Sequence, residues 1–113
     1  MTTPYNSNYS NTFPFSNTCL QLLLAASTVK TWTIPGDPYV MYRASFRCSS
    51  TAEIWVAYNA TATIPTSDTV TNSSYQEMVP LNECRYVNGG DTLSFISAGT
   101  PSVSVSLLQL QPL

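Results

Sequence analysis

Histidine is absent and lysine occurs once. Without histidine, no Ser-His or Cys-His dyad can form within the chain, which closes the commonest route to an activated nucleophile. Charge of either sign is scarce. Four Lys and Arg and six Asp and Glu leave a net charge of -2, and charged residues are 9% of the chain, against about 25% in an ordinary soluble domain. Four cations scattered over 113 residues cannot build the basic face that phosphate demands, so nucleic acid is excluded as a partner. Glu and Lys together number four, too few for a helical bundle. A disordered solvating tail would need high net charge and little apolar content, and 43% of this chain is apolar.

Cysteine is sparse as well. Cys19, Cys48 and Cys84 lie 29 and 36 residues apart, which fits neither a disulfide framework nor the close pairs of a zinc knuckle. The expectation is three buried free thiols acting as small hydrophobes. Long apolar runs are missing. The run from Cys19 to Ala26 is broken by Gln21 and falls short of the ~20 residues that cross a bilayer. Met1-Thr2-Thr3-Pro4 has no basic flank of the signal-peptide kind. The chain therefore reads as made in the cytoplasm, with no membrane partner.

What is present is hydroxyl and aromatic. Ser and Thr supply 15 residues each, so the sequons at Asn8, Asn59 and Asn72 are expected by chance. Residues 1–18 carry no charged side chain and hold Tyr5, Tyr9, Phe13 and Phe15. Aromatic side chains concentrate interface energy, so this stretch reads as an extended N-terminal arm that orders against a neighbouring subunit or its own domain. Residues 19–113 form one domain's worth of chain.

That domain reads as strand after strand. Cys19–Leu24 is a short apolar run that periodicity alone cannot assign to strand or helix turn. Thr28–Ile34 is β-branched and aromatic, and Pro35-Gly36-Asp37-Pro38 closes it. Tyr39–Cys48 alternates strictly, with Val40, Tyr42, Ala44, Phe46 and Cys48 on one face. Ser49-Ser50-Thr51 then suggests a hairpin into 52–58, pairing Phe46 with Ile54, Ala44 with Val56, Tyr42 with Tyr58 and, outside, Arg47 with Glu53. In that register Trp55 sits across from Ser45.

Residues 59–74 are polar, a loop or a pair of short edge strands. Pro80 argues that 75–81 lies at an edge. Asn88-Gly89-Gly90-Asp91 suggests a second hairpin that sets Tyr86 against Leu93 and Cys84 against Phe95. Val103, Val105 and Leu107 alternate with Ser102, Ser104 and Ser106 in a half-buried last strand. The expected fold is all-β: a β-sandwich, jelly-roll-like or immunoglobulin-like, of about seven to eight antiparallel strands.

Chemistry is harder to find. Glu77 and Glu83 are conceivable as a glycosidase acid and base, but surface placement around Met78-Val79-Pro80-Leu81 suits them better. Asp68 and Asp91 are not clustered as calcium ligands are. No helix follows Gly89-Gly90 as a phosphate cradle requires. The reading is no enzyme, no cofactor and no metal. Trp55 has three roles open to it: contact with the second sheet, subunit-interface anchor, or platform for a sugar ring.

The order of elements from about residue 28 to 110 resembles small bacteriophage virion proteins, often head decoration or cement subunits. The resemblance lies in Thr31-Trp32-Thr33-Ile34-Pro35-Gly36, in Tyr42–Cys48 followed by Ala52–Asn59, in Arg85–Ser97 with its Asn88-Gly89-Gly90-Asp91 turn, and in Val103–Leu107. It implies an all-β subunit on the surface of an icosahedral head, bound to the major capsid protein, commonly as a homotrimer. The alternative is a carbohydrate- or receptor-binding module displayed on a virion head or tail fibre.

Overall fold

The computed structural model describes residues 15–16, 18–49, 53–66 and 75–110. Among these there are eight strands and no helix: β1 (Thr18–Leu23), β2 (Lys30–Thr33), β3 (Met41–Cys48), β4 (Ile54–Tyr58), β5 (Tyr75–Met78), β6 (Arg85–Asn88), β7 (Thr92–Ser97) and β8 (Ser102–Gln109). They form two four-stranded antiparallel sheets, ordered β1-β8-β3-β6 (sheet A) and β2-β7-β4-β5 (sheet B). The pairs β1·β8, β2·β7, β3·β6 and β4·β5 are nested about the β4–β5 connection. The chain thus behaves as one long hairpin, wound so that successive rungs fall in alternate sheets and are joined by β3·β8 and β4·β7. This is the strand order of a jelly roll. It replaces the immunoglobulin alternative, which splits its strands between sheets differently.

Period-two alternation explains the core. Sheet A turns Tyr42, Ala44, Phe46, Val87, Val103, Val105 and Leu107 inward, and sheet B answers with Ile54, Val56, Leu93 and Phe95, all buried. In β8 the intervening serines face outward, so each Val-Ser step places a methyl-bearing side chain inside and a hydroxyl outside. The run Cys19–Leu24 resolves as strand as far as Leu23, within β1, with Leu20 and Leu22 packed on the core.

Both expected hairpins are absent. β3 lies in sheet A and β4 in sheet B, so Phe46 pairs with Val105 and Ala44 with Leu107, while Ile54 pairs with Ser97 and Val56 with Phe95. Tyr42 lies opposite Gln109 and Val87, and Tyr58 opposite Leu93 and Tyr75. Arg47 lies across from Ser104 rather than Glu53, and Trp55 across from Ile96 and Met78 rather than Ser45. Residues 88–91 likewise carry the chain from sheet A to sheet B, so Tyr86 does not pair with Leu93 but with Arg43. The turn packs on residues 34–40 through Gly89 N donating to Val40 O (2.9 Å) and Gly90 N to Ile34 O (2.8 Å). Gly90 takes a positive φ of 85°, and Gly89 lies so close to the Gly36–Asp37 backbone that no Cβ fits.

The thiols depart from expectation. Cys48 is half-buried, but Cys19 and Cys84 are exposed. Cys19 is on the outward side of edge strand β1, where strand parity leaves it no core to enter.

Candidate binding cleft at the open edge of the sandwich

β5 and β6 are the last strands of their sheets on one side of the molecule. Apart from Val87, their inward positions carry polar side chains. Tyr75 and Glu77 share the inner face with Tyr58 and Val56, and Arg85 shares it with Ala44. Inward-pointing charge is a device of sheet edges, since it bars another strand from docking there. Here the two charges meet across the gap: the Arg85 fork donates to both Glu77 carboxylate oxygens, Nε at 2.7 Å and Nη2 at 2.9 Å. Glu83 Oε1 stands 3.6 Å from the same guanidinium. The fork raises the Arg85 pKa, against a smaller opposing effect of burial.

Behind this pair the sheets do not close. A cleft of about 560 Å³ opens between them, floored by Phe46, Val56, Val87 and Leu93. Its rim is aromatic, with Tyr58, Tyr75 and Tyr86. The rings of Tyr58 and Tyr75 meet edge to face, their centroids 6.3 Å apart. The Tyr86 ring lies under the Arg43 guanidinium, 5.7 Å from its centroid. Around this edge large apolar groups face solvent: Tyr75 is 77% exposed, Tyr86 63%, Met78 49% and Leu81 44%.

One end of the cleft is fixed by Asp91. Its carboxylate accepts from the Tyr58 hydroxyl, from Asn88 N (3.0 Å) and from Asn59 Nδ2 (3.3 Å), while Asn59 Oδ1 accepts from Thr92 N (2.8 Å). Burial pushes Asp91 up, but these three donors outweigh it and its pKa ends below the ordinary carboxylate value. Burial first, and the Asp91 hydrogen bond and charge second, push the Tyr58 phenol up to about 12. Asn59 adopts a positive φ of 53°, so its side chain and backbone both serve this corner.

The arrangement suits binding. It offers an apolar floor, three aromatic rims and a guanidinium already matched by carboxylate, which together favour an uncharged, aromatic or apolar guest. Arg85 stands between Glu77 and Glu83, whereas a glycosidase pair needs a carboxylic acid and a carboxylate facing each other across a sugar. Asp91 is held by neutral donors of its own chain. Among the described residues no three His, Cys, Asp or Glu gather as metal ligands would.

The residues singled out in the sequence fall elsewhere. Tyr5, Tyr9, Phe13 and Asp68 lie outside the described residues. Phe15 is fully exposed, beside Ser16, whose hydroxyl donates to Leu107 O of β8. Trp55 faces away from sheet A. It is half-buried in a second small core on the outside of sheet B with Ala57, Ala62, Ile96, Ala60 and Ile64. Residues 60–64 cover that face, pinned by Ala62 N to Ser94 Oγ (2.9 Å) and by Gln76. The Gln76 amide both accepts from Thr63 N and donates to Thr63 O, each at 2.9 Å. A side-chain amide thus substitutes for a strand rung.

Sequence reasoning did not find Tyr58, Tyr75, Arg85 and Tyr86 as a group. The available signal was an inward-parity Glu and Arg in two short strands flanking Pro80, which marks facing sheet edges. No family model, curated protein or solved structure matches the chain.

Proposed function

We propose that the chain is a non-enzymatic virion structural protein: a decoration or cement subunit that binds the major capsid protein on the outer surface of an icosahedral phage head. It acts as a homotrimer and stabilises the head through contacts between subunits. The observation that carries this reading is the outer face of sheet A. Strand register sets Cys19, Ser106 and Ser45 in one row and Gln21, Ser104 and Arg47 in the next. The small hydroxyls of Ser45, Ser104 and Ser106 exchange hydrogen bonds with an apposed surface at little desolvation cost, and Arg47 is the one charged side chain among these six residues. A jelly roll is an architecture that capsid proteins use, as do lectins. The low charge of the chain gives little repulsion against such close apposition.

Cosedimentation with emptied heads lacking the subunit tests the reading. Saturable binding is expected, lost when Ser104→Glu and Ser106→Glu place two charges on the face. Heads that never retain the wild-type protein would refute it. A second reading, a carbohydrate- or receptor-binding module on the virion, draws support from the tyrosine rim of the cleft. It predicts glycan binding lost in Tyr75→Ala.

A further inference from the structure

We infer that the cleft between β5 and β6 receives the N-terminal segment of a neighbouring copy, so that subunits are laced head to tail. The strand that follows the segment and the strand beside the cleft lie at opposite edges. β1 and β6 are the two ends of sheet A, three strand spacings or ~14 Å apart. At the β1 edge the chain is anchored through Ser16 to β8, and the next side chain outward, Phe15, is fully exposed. At that point the chain presents its aromatic side chain to solvent and not to its own core.

Fourteen residues precede Phe15, enough to reach up to ~46 Å. They carry no charged side chain, and their aromatics recur at Tyr5, Tyr9 and Phe13. The cleft matches that chemistry. Its floor is apolar, its Arg85–Glu77 pair is internally neutralised, and Tyr75 on its rim is largely exposed. An aromatic side chain entering there adds edge-to-face contacts and covers apolar surface that a lone subunit leaves wet.

A contact between unlike edges is heterologous, and such contacts close into rings when the rotation permits. Lacing of this kind is independent of head binding. A protein that fails to bind heads can still exchange arms, and one that binds heads can fail to.

The test uses the full-length chain with Phe13→p-benzoylphenylalanine, co-expressed in heavy- and light-isotope forms, irradiated, and mapped by mass spectrometry. Adducts are expected on residues 75–93, joining heavy chains to light ones. Tyr75→Ala with Tyr86→Ala removes two solvent-exposed rings and lowers adduct yield about tenfold, with an unchanged circular dichroism spectrum. Adducts confined to single copies, adducts on another surface, or no adduct at all would each overturn the inference.

Discussion

Gly89→Ala is the substitution that probes the sheet-to-sheet corner most sharply. Gly90 has the positive φ, and on conformational grounds alone it is the glycine expected to matter. The packing points to the other. A Cβ on Gly89 would lie 2.3 Å from Asp37 O and 2.6 Å from Gly36 C, both backbone atoms, whereas one on Gly90 meets nothing within 4 Å. Relieving the Gly89 clash means parting two turns by about 1 Å, which breaks hydrogen bonds to Val40 O and Ile34 O.

Overpacking costs ~1–3 kcal/mol and each lost hydrogen bond ~0.5–1.5. The entropy an alanine removes from the unfolded chain offsets ~0.4–1 kcal/mol. The net is about 2–4 kcal/mol for Gly89→Ala. Gly90→Ala bears only left-handed strain, about 1–2 kcal/mol. Urea unfolding followed by Trp32 and Trp55 fluorescence reads the difference. With a slope of roughly 1–1.5 kcal/mol/M, the Gly89→Ala midpoint falls by about 1.3–4 M. If Gly89→Ala were no less stable than wild type, or milder than Gly90→Ala, the corner would not be packed as described.

Three further outcomes follow from the same geometry. Asp91→Asn weakens three hydrogen bonds to a charged acceptor and is expected to cost about 1.5–3 kcal/mol near neutral pH by urea unfolding. Because the folded pKa of Asp91 is lowered, its contribution is present above the ordinary carboxylate pKa of ~3.9 and lost as pH falls through the folded value, so the gap between wild type and variant narrows in acid. Tyr58 has the opposite sign. Its contribution is full below the ordinary tyrosine pKa of ~10 and drains as pH rises toward about 12. The absorbance difference between wild type and Tyr58→Phe should show its phenolate forming at that upper value. Gln76→Leu removes both hydrogen bonds to Thr63 and should cost about 1–2 kcal/mol, with Trp55 emission shifting red as residues 60–64 loosen.

How much of this was legible in the residues depends on what periodicity encodes. Alternation from Val40 to Cys48 tells which side chains face inward, and the structure buries Tyr42, Ala44 and Phe46 as that parity requires. It does not tell which strand lies alongside. Phe46 and Ile54 are both inward whether they oppose each other in one ladder or across the sandwich, so a hairpin through Ser49 looked self-consistent. Jelly-roll pairing joins strands far apart in sequence, such as β1 with β8, and no local turn signal carries that information. Asn88-Gly89-Gly90-Asp91 has hairpin chemistry, yet its glycines serve a close approach between turns. Parity sets Trp55 on the side opposite Ile54 and Val56 but leaves contact with the second sheet, a subunit interface and a sugar platform all open, because Ala60-Thr61-Ala62-Thr63-Ile64 reads as polar loop until Gln76 is seen to hold it. The cleft was least legible, since its rim is drawn from three strands that meet only at the edge.

Under the proposed function, this weakly charged jelly roll works by lying against copies of itself and a shell. Sedimentation equilibrium of the purified full-length chain at micromolar concentration tests it most directly. A species of three times the 12.4 kDa chain mass is expected. A single chain mass that persists as concentration rises would contradict it.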